Sequence, residues 1–400
     1  MEKYTQIKCI GKGSFGKAFL CRNKETDTNV VIKEINLSYM NQKEKDASMN
    51  EVRIIRALKS PYIIQFFESF IKSHVLHIVM EYGAGGDLES VVTRRFKAHP
   101  KRPFRERVIL HWLFQLCTGL NQMHSKKILH RDIKSSNIFL GRDRVSAKIG
   151  DFGISKVLSS ESGYAHTAIG TPYYLSPEIC NENPYNEKSD IWALGCVIYE
   201  LATYKHPFEA KSLPRLVAKI MVAEYEPISR ARYSENLCGL VKAMLSVDPE
   251  CRPTAAKILE FLKEGNPGIE TEKITPQDIE NGDSEPEVGS FPLDVSEAEE
   301  KPLCADSAME ESFREMEQVE IKDRASYRKM VSTVKRMAQS AATKDRKSPQ
   351  HPLACSEGDH PLASSSSEGE CAAQDDGDLV GLLGYLKGID SSLEGLSKGV

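Results

Sequence analysis

The chain has 400 residues, 40 % of them hydrophobic, with 53 Lys+Arg against 57 Asp+Glu and a net charge of −4. At roughly 150 residues per domain this allows two to three units, or one bilobal fold with an appendage. The near-neutral balance argues against a polybasic nucleic-acid binder, and the composition excludes collagen-like, coiled-coil-only and disulfide-scaffold classes. Ten cysteines stand singly with no C-x-x-C pair, which gives zinc-ribbon and thioredoxin readings no support and fits a reduced, cytoplasmic setting. MEKYTQIKCIGKG at the start has no apolar stretch of signal-peptide length. The most apolar run, IWALGCVIYELA at 191–202, contains Glu200. It is too short to span a bilayer and is expected as a buried core helix.

In chain order, YTQIKCIG, KAFLCRNK and NVVIKEI cluster β-branched residues between turn signals and predict strands. KEKDASMNEVRIIRAL puts Met49, Val52, Ile54 and Ile55 at helical spacing. IIQFFESF and HVLHIVMEY predict two more strands, beginning at Ile63 and His74. From about residue 88 the pattern turns helical, and 106–124 carries Val108, Trp112, Gln115, Leu116, Leu120 and Met123 at periods near 3.6. A small β-rich part followed by a larger helical part predicts two lobes with a cleft between them. After 265 the composition shifts to Glu, Asp, Pro, Gly and Ser, so the globular boundary is placed at 262–268 and the rest is expected as a mostly disordered tail. Within it, 323–342 reads as a basic amphipathic helix and 379–396 as a leucine-bearing one lowered in helicity by its glycines.

Four polar motifs carry chemistry. Gly11-Lys12-Gly13-Ser14-Phe15-Gly16 lies between two strand-like runs. A dinucleotide fingerprint would need a helix after the glycines, and KAFLCRNKE does not read as one, so a strand–loop–strand cover over phosphates is favoured over an oxidoreductase. Lys33 closes the run Val30-Val31-Ile32, and Glu51 sits on the apolar face of the following helix, where an acid needs a partner. Lys33 is the expected one. His130-Arg131-Asp132-Ile133-Lys134-Ser135-Ser136-Asn137 is a polar loop held between apolar flanks, and Asp151-Phe152-Gly153 follows Ala147-Lys148-Ile149.

These motifs, with Ser176-Pro177-Glu178, Asp190 in SDIWALGC and Arg252 in DPECRPT, resemble in order and spacing the signature set of the eukaryotic protein kinases over about 4–262. MEKYTQIKCIGKGSFGKAFL, VIKEI, HRDIKSSNIFL, GTPYYLSPEIC and PYNEKSDIWALGC look like the NIMA-related (NEK) serine/threonine kinases. The resemblance implies an α+β bilobal kinase fold, with an N-lobe at about 4–82 and a C-lobe at about 88–262. It implies ATP and Mg2+ (Mn2+ as a substitute), with γ-phosphoryl transfer to protein Ser/Thr hydroxyls. Lys33 would hold the α/β-phosphates, Glu51 would orient Lys33, Asp132 would receive the substrate hydroxyl, Lys134 would neutralise the γ-phosphate, and Asn137 and Asp151 would hold the metal. The nucleotide would lie against Ile10, Gly11, Lys12, Gly13, Ser14, Phe15, Gly16, Lys17, Ala18, Val31 and Phe139. Met80 would stand at the back of the pocket, Glu81 and Gly83 would offer backbone groups to adenine, and Asp87 would face ribose or a basic substrate residue.

Ala18 and Val31 invert the usual Val/Ala pair of the adenine roof, a change of one or two methyl-sized groups on each side. Arg131 and Lys156 would bind a phosphate on Thr167, while Thr171 would serve as a structural hydroxyl beside Asp132 and Lys134. Glu178 and Arg252 would form a buried ion pair, Asp190 would tie down the catalytic loop, and Ile55, Phe66, His130 and Phe152 would stack across the lobes. A scaffold without catalysis, recruiting partners through the tail, is the competing reading. The intact Lys33, Asp132, Asn137 and Asp151 argue against it. By resemblance, partners are expected among cytoskeletal, centrosomal or ciliary proteins, with the tail binding a partner or itself, and with no specific nucleic acid and no transmembrane segment.

Overall fold

The computed structural model describes residues 2–13, 16–38, 40–151, 173–270 and 273–280, with 328, 331–333 and 336 further on; the side chains of Lys43, Glu44, Ala47, Asn50 and Glu51 lie outside that description. β1 (Tyr4–Gly13), β2 (Gly16–Asn23), β3 (Thr28–Asn36), β4 (Phe66–Lys72) and β5 (Val75–Glu81) form an antiparallel sheet in the order β1-β2-β3-β5-β4. The alternation written in these strands separates two faces. Tyr4, Cys21, Val30, Ile32 and Val79 form a small cluster of their own. Ile35, Leu76 and Ile78 belong instead to the main core, together with Val52 and Ile55 of α1 (Gln42–Ala57).

One expected strand is shorter than the sequence implied. The run from Ile63 enters the sheet only at Phe66. Ile63 instead bridges Ile149 in parallel, with Ile64 N–H donating to the Ile149 carbonyl (2.8 Å) and Ile149 N–H to that of Tyr62 (2.9 Å). The segment is apolar because it crosses between lobes, and its hydrogen bonds go to the C-lobe.

The C-lobe begins with β6 (Gly86–Asp87), α2 (Leu88–Ala98) and α3 (Glu106–Ser125), followed by β7 (Ile138–Leu140) and β8 (Ala147–Ile149). Then come α4 (Pro177–Cys180), α5 (Glu187–Thr203), α6 (Leu213–Met221), α7 (Glu235–Met244), α8 (Ala255–Gly265) and α9 (Pro276–Glu280). The periodic residues of 106–124 are all buried in α3. α5 is buried continuously from Ser189 to Ala202, as a helix apolar on every side must be. Its start is fixed by a capping box, in which Asn186 accepts from Ser189 N–H and the Ser189 hydroxyl caps the Asn186 N–H. No helix among the described residues is long and apolar enough to cross a membrane. The seven described cysteines are all free.

The packed body extends past the expected boundary. Ile269, Ile274 and Ile279 are buried in the main core. Arg95 Nη1 donates to the Ile279 carbonyl (2.5 Å), and Arg107 reaches both the Lys273 carbonyl (3.2 Å) and Asp278 (3.3 Å). Composition assigned 269–280 to linker because three isolated isoleucines in a polar stretch carry no period; the C-lobe supplies their apolar surroundings. Further on, Arg328, Val331, Ser332, Thr333 and Arg336 are helical. The expected helix at 379–396 lies outside the described residues.

Candidate active site

His130–Asn137 fills the connection from α3 to β7, and its conformation is imposed from below. Asp190, at the buried start of α5, accepts from the backbone N–H groups of His130 (Oδ2, 3.0 Å) and Arg131 (Oδ1, 3.0 Å). His124 Nε2 (2.8 Å) and the Tyr185 hydroxyl (2.6 Å) complete its shell. Burial pushes this carboxyl up, but the bonds from His124 and Tyr185 outweigh it, so Asp190 is held below the usual carboxylate range. Arg131 has φ +67°, a left-handed conformation that costs a non-glycine residue about 1–3 kcal/mol. The Asp190 clamp is what holds it there.

His130 is buried, and burial pushes its imidazole down against the opposing pull of Asp190. A neutral ring fits its contacts: Nε2 donates to the Gly150 carbonyl (3.1 Å) and Nδ1 accepts from Asp132 N–H (3.3 Å). Gly150 N–H in turn donates to the Asn137 carbonyl (2.9 Å). The residue before Asp151 is thus pinned to both ends of the His130–Asn137 loop. A side chain at Gly150 would bring Cβ within 2.6 Å of Ile64 Cγ1, so the close approach requires glycine.

Asp132, Lys134 and Asn137 meet in this loop. Lys134 Nζ lies 3.0 Å from Asp132 Oδ2. Asn137 Nδ2 donates to both the Asp132 carbonyl (2.8 Å) and Oδ2 (2.9 Å). With its amide nitrogen committed to Asp132, Asn137 offers Oδ1 as its remaining polar atom. Above, Lys33 Nζ is 2.5 Å from Asp151 Oδ1, and Asp151 also has a left-handed backbone, φ +54°. The sequence expected Glu51 to pair with Lys33; the described partner of Lys33 is Asp151, and the Glu51 side chain lies outside the described residues.

The glycine motif joins two strands, with Gly13 paired to Gly16 across the turn; Ser14 and Phe15 lie outside the described residues. A Cβ at Gly16 would fall 1.8 Å from the Glu34 carbonyl oxygen, so only glycine fits beside β3. Ala18 pairs with Lys33 and with Gly11, and Val31 pairs with Met80, which puts these five β-strand positions of the expected nucleotide pocket in neighbouring register. Val31, Met80 and Phe139 are half-buried; Ile10, Lys12 and Lys17 are exposed. Glu81 donates its N–H to the Gln65 carbonyl (2.8 Å), and Gly83 gives its carbonyl to Gly86 N–H (3.0 Å). The peptide groups these two could offer a base are therefore the Glu81 carbonyl and the Gly83 N–H.

Asp87 faces Phe139 across β6–β7 and N-caps α2, accepting from Ser90 N–H (2.7 Å) and from its hydroxyl (2.8 Å). A contact that sequence reasoning missed is Lys148 Nζ to Glu81 Oε1 (2.5 Å), which braces the segment between the lobes.

Below the loop, Arg252 grips Glu178 with two bonds of 2.8 Å, both side chains nearly fully buried, and Ser189 donates to the same carboxylate (2.5 Å). Burial raises the Glu178 carboxyl, and the bonds from Arg252 and Ser189 outweigh it, leaving it below its ordinary value. Glu200 is the opposite case. Burial drives it up to about 7, against bonds from the Tyr174 hydroxyl (2.9 Å) and Ser135 (3.4 Å). Sequence reasoning met Glu200 only as an acid interrupting an apolar run, which was itself the signal of a buried polar link. Ile55 and His130 are buried and Phe66 packs against the same core. Phe152, Lys156, Thr167 and Thr171 lie outside the described residues.

A family profile described as the protein kinase domain matches residues 4–261. The chain is 49 % identical over 260 residues to the human serine/threonine-protein kinase Nek5 and likewise 49 % to the mouse serine/threonine-protein kinase Nek1. Each alignment covers 65 % of this chain but only 36 % and 21 % of those relatives. The serine/threonine-protein kinase nekl-2 of Caenorhabditis elegans is 39 % identical over 264 residues, covering 65 % of this chain and 73 % of that protein. The chain belongs to the protein kinase family and, within it, to the NEK serine/threonine kinases.

Proposed function

We propose that the chain transfers the γ-phosphoryl group of ATP to serine and threonine hydroxyls of proteins. The observation that carries this reading is the Asp132–Lys134–Asn137 cluster, clamped through the loop backbone by Asp190. Such a transition state spreads charge over oxygens, so positioning and charge stabilisation supply the rate. Asp132, with Lys134 and Asn137 on its Oδ2, aims the incoming hydroxyl and receives its proton. Lys134 neutralises charge on the transferred group, and Lys33 holds the inner phosphates. Asn137 and Asp151 fit a Mg2+ site: both offer oxygen, the ligand type this ion takes, and two protein ligands are typical where substrate phosphates complete the shell. When bound, the ion screens phosphate charge and fixes its geometry.

The glycine loop, Ile10, Lys17, Ala18, Val31, Met80 and Phe139 would enclose the nucleotide, with Asp87 beside its ribose. Thr167 is the expected regulatory phosphosite, read by Arg131 and Lys156. The free cysteines support the cytoplasm as its location.

The test is γ-phosphate transfer to a Ser/Thr peptide array, with mass-spectrometric mapping of autophosphorylation. Label on serine and threonine, a sharp loss in Thr167→Ala and partial recovery in Thr167→Glu are expected. Equal, full turnover of dephosphorylated wild type and Thr167→Ala would reject the switch. Mg-ATP binding without transfer would reject the enzyme.

A further inference from the structure

The tail is expected to bind a partner or itself, and the structure sets the apolar face of its basic segment against the kinase body. Val331 is 7 % exposed and joins the main core of the kinase body. One turn earlier, Arg328 Nη2 and Nε lie 2.8 and 3.1 Å from Glu182 Oε2. Val331, three residues after Arg328, neighbours it on the helix surface; the Arg328 side chain stays 63 % exposed while it reaches Glu182, and Arg336 is exposed. The Glu182 carboxylate is 12 % exposed, and its residue has φ +59°.

Its loop is tied directly to α4: Glu182 N–H donates to Ile179, and Asn183 N–H to Glu178 (2.8 Å). Glu178 is the acid gripped by Arg252, and the stretch leading into it carries Tyr174, whose hydroxyl meets Ser135 of the catalytic loop (3.0 Å).

We propose that the C-lobe surface around Glu182 is a docking seat for a basic helix with arginine at one position and a branched aliphatic three residues on, and that Arg328 and Val331 of this same chain occupy it. The seat combines one buried apolar anchor with one oriented arginine–carboxylate pair. That is a small contact for two free molecules. It suffices within one chain, because covalent linkage makes the contact intramolecular and adds an effective concentration that two free molecules lack. The tail therefore closes back on the loop that follows the Glu178 anchor, and an outside protein using the Glu182 surface must displace it.

Amide hydrogen exchange on the full-length chain tests this. Amides of 328–336 should exchange at least about tenfold more slowly in the wild type than in Val331→Asp, with α5 equally protected in both. Glu182→Arg should also release them, and the reciprocal pair Glu182→Arg with Arg328→Glu should restore protection. Arg336→Gln, at an exposed position eight residues beyond Arg328, should leave it unchanged. Unprotected amides in the wild type, protection that survives Val331→Asp or Glu182→Arg, or a reciprocal pair that fails to recover it, would each overturn the docking seat.

Discussion

Two ion pairs of similar length do opposite work in this molecule. Arg252–Glu178, at 2.8 Å, has 0 % and 3 % of its side chains exposed; Lys33–Asp151, at 2.5 Å, has 24 % and 47 %. The first is surrounded: Arg252 also donates to the Ser246, Lys188 and Val247 carbonyls, and its guanidinium lies over the Trp192 ring. A pair so enclosed cannot exchange partners without leaving a charge in the core. The second sits at the cleft, where water and a phosphate-bearing ligand can compete for both groups. Length alone does not assign a role; burial and the number of further bonds do.

The largest effect expected from this contrast is on folding. Arg252→Met leaves the Glu178 charge buried without its partner and should cost about 3–5 kcal/mol, read as a lowered urea midpoint. A near-neutral result would mean that the pair is no anchor. Lys33→Met should do the reverse. Its pair is partly solvated, so stability should change by no more than about 1 kcal/mol. Phosphoryl transfer, however, should fall by about 100- to 1,000-fold, the scale for removing one donor that stabilises developing charge. A variant that unfolds, or one that keeps full activity, would erase the distinction.

Glu200 sharpens it, as a buried acid with hydroxyl partners and no described salt bridge. Its folded value of about 7 lies above its ordinary 4.5. Between those values the folded chain keeps a proton that the unfolded chain releases, so stability falls as pH rises through the window. The full span is worth roughly 3 kcal/mol. Glu200→Gln should flatten that decline and be the more stable protein at pH 8, measured by urea unfolding at pH 5 and 8. An unchanged slope would mean that Glu200 ionises freely. A change with no charge involved sets the scale: Thr254→Ala removes the cap that accepts from Lys257 N–H (3.2 Å) and should lower the urea midpoint by about 1 kcal/mol of stability while leaving activity unchanged.

The cleft chemistry was legible because phosphoryl transfer demands particular residue types in a fixed order. Asp132, Lys134 and Asn137 announce themselves as a polar run inside apolar flanks, and Asp151 takes its meaning from its place after them. Asp190 and the Glu178–Arg252 pair were legible only through the family resemblance, from the motifs SDIWALGC, Ser176-Pro177-Glu178 and DPECRPT. What escaped were contacts set by three-dimensional juxtaposition. Nothing local in 269–280 says that the C-lobe will bury its isoleucines. Nothing near Lys33 says that its described partner stands 118 residues away. Nothing in a basic amphipathic tail says that its acidic counterpart is Glu182 of its own chain. Periodicity reveals which face is apolar; it does not reveal what covers that face.

The account turns on Asp132 directing a hydroxyl toward ATP. The most direct measurement pairs γ-phosphate incorporation with Mg-ATP thermal stabilisation in purified wild type and Asp132→Ala. The account predicts that both proteins are stabilised by Mg-ATP while transfer in the variant falls by about 100- to 10,000-fold. Transfer within a fewfold of wild type would contradict it.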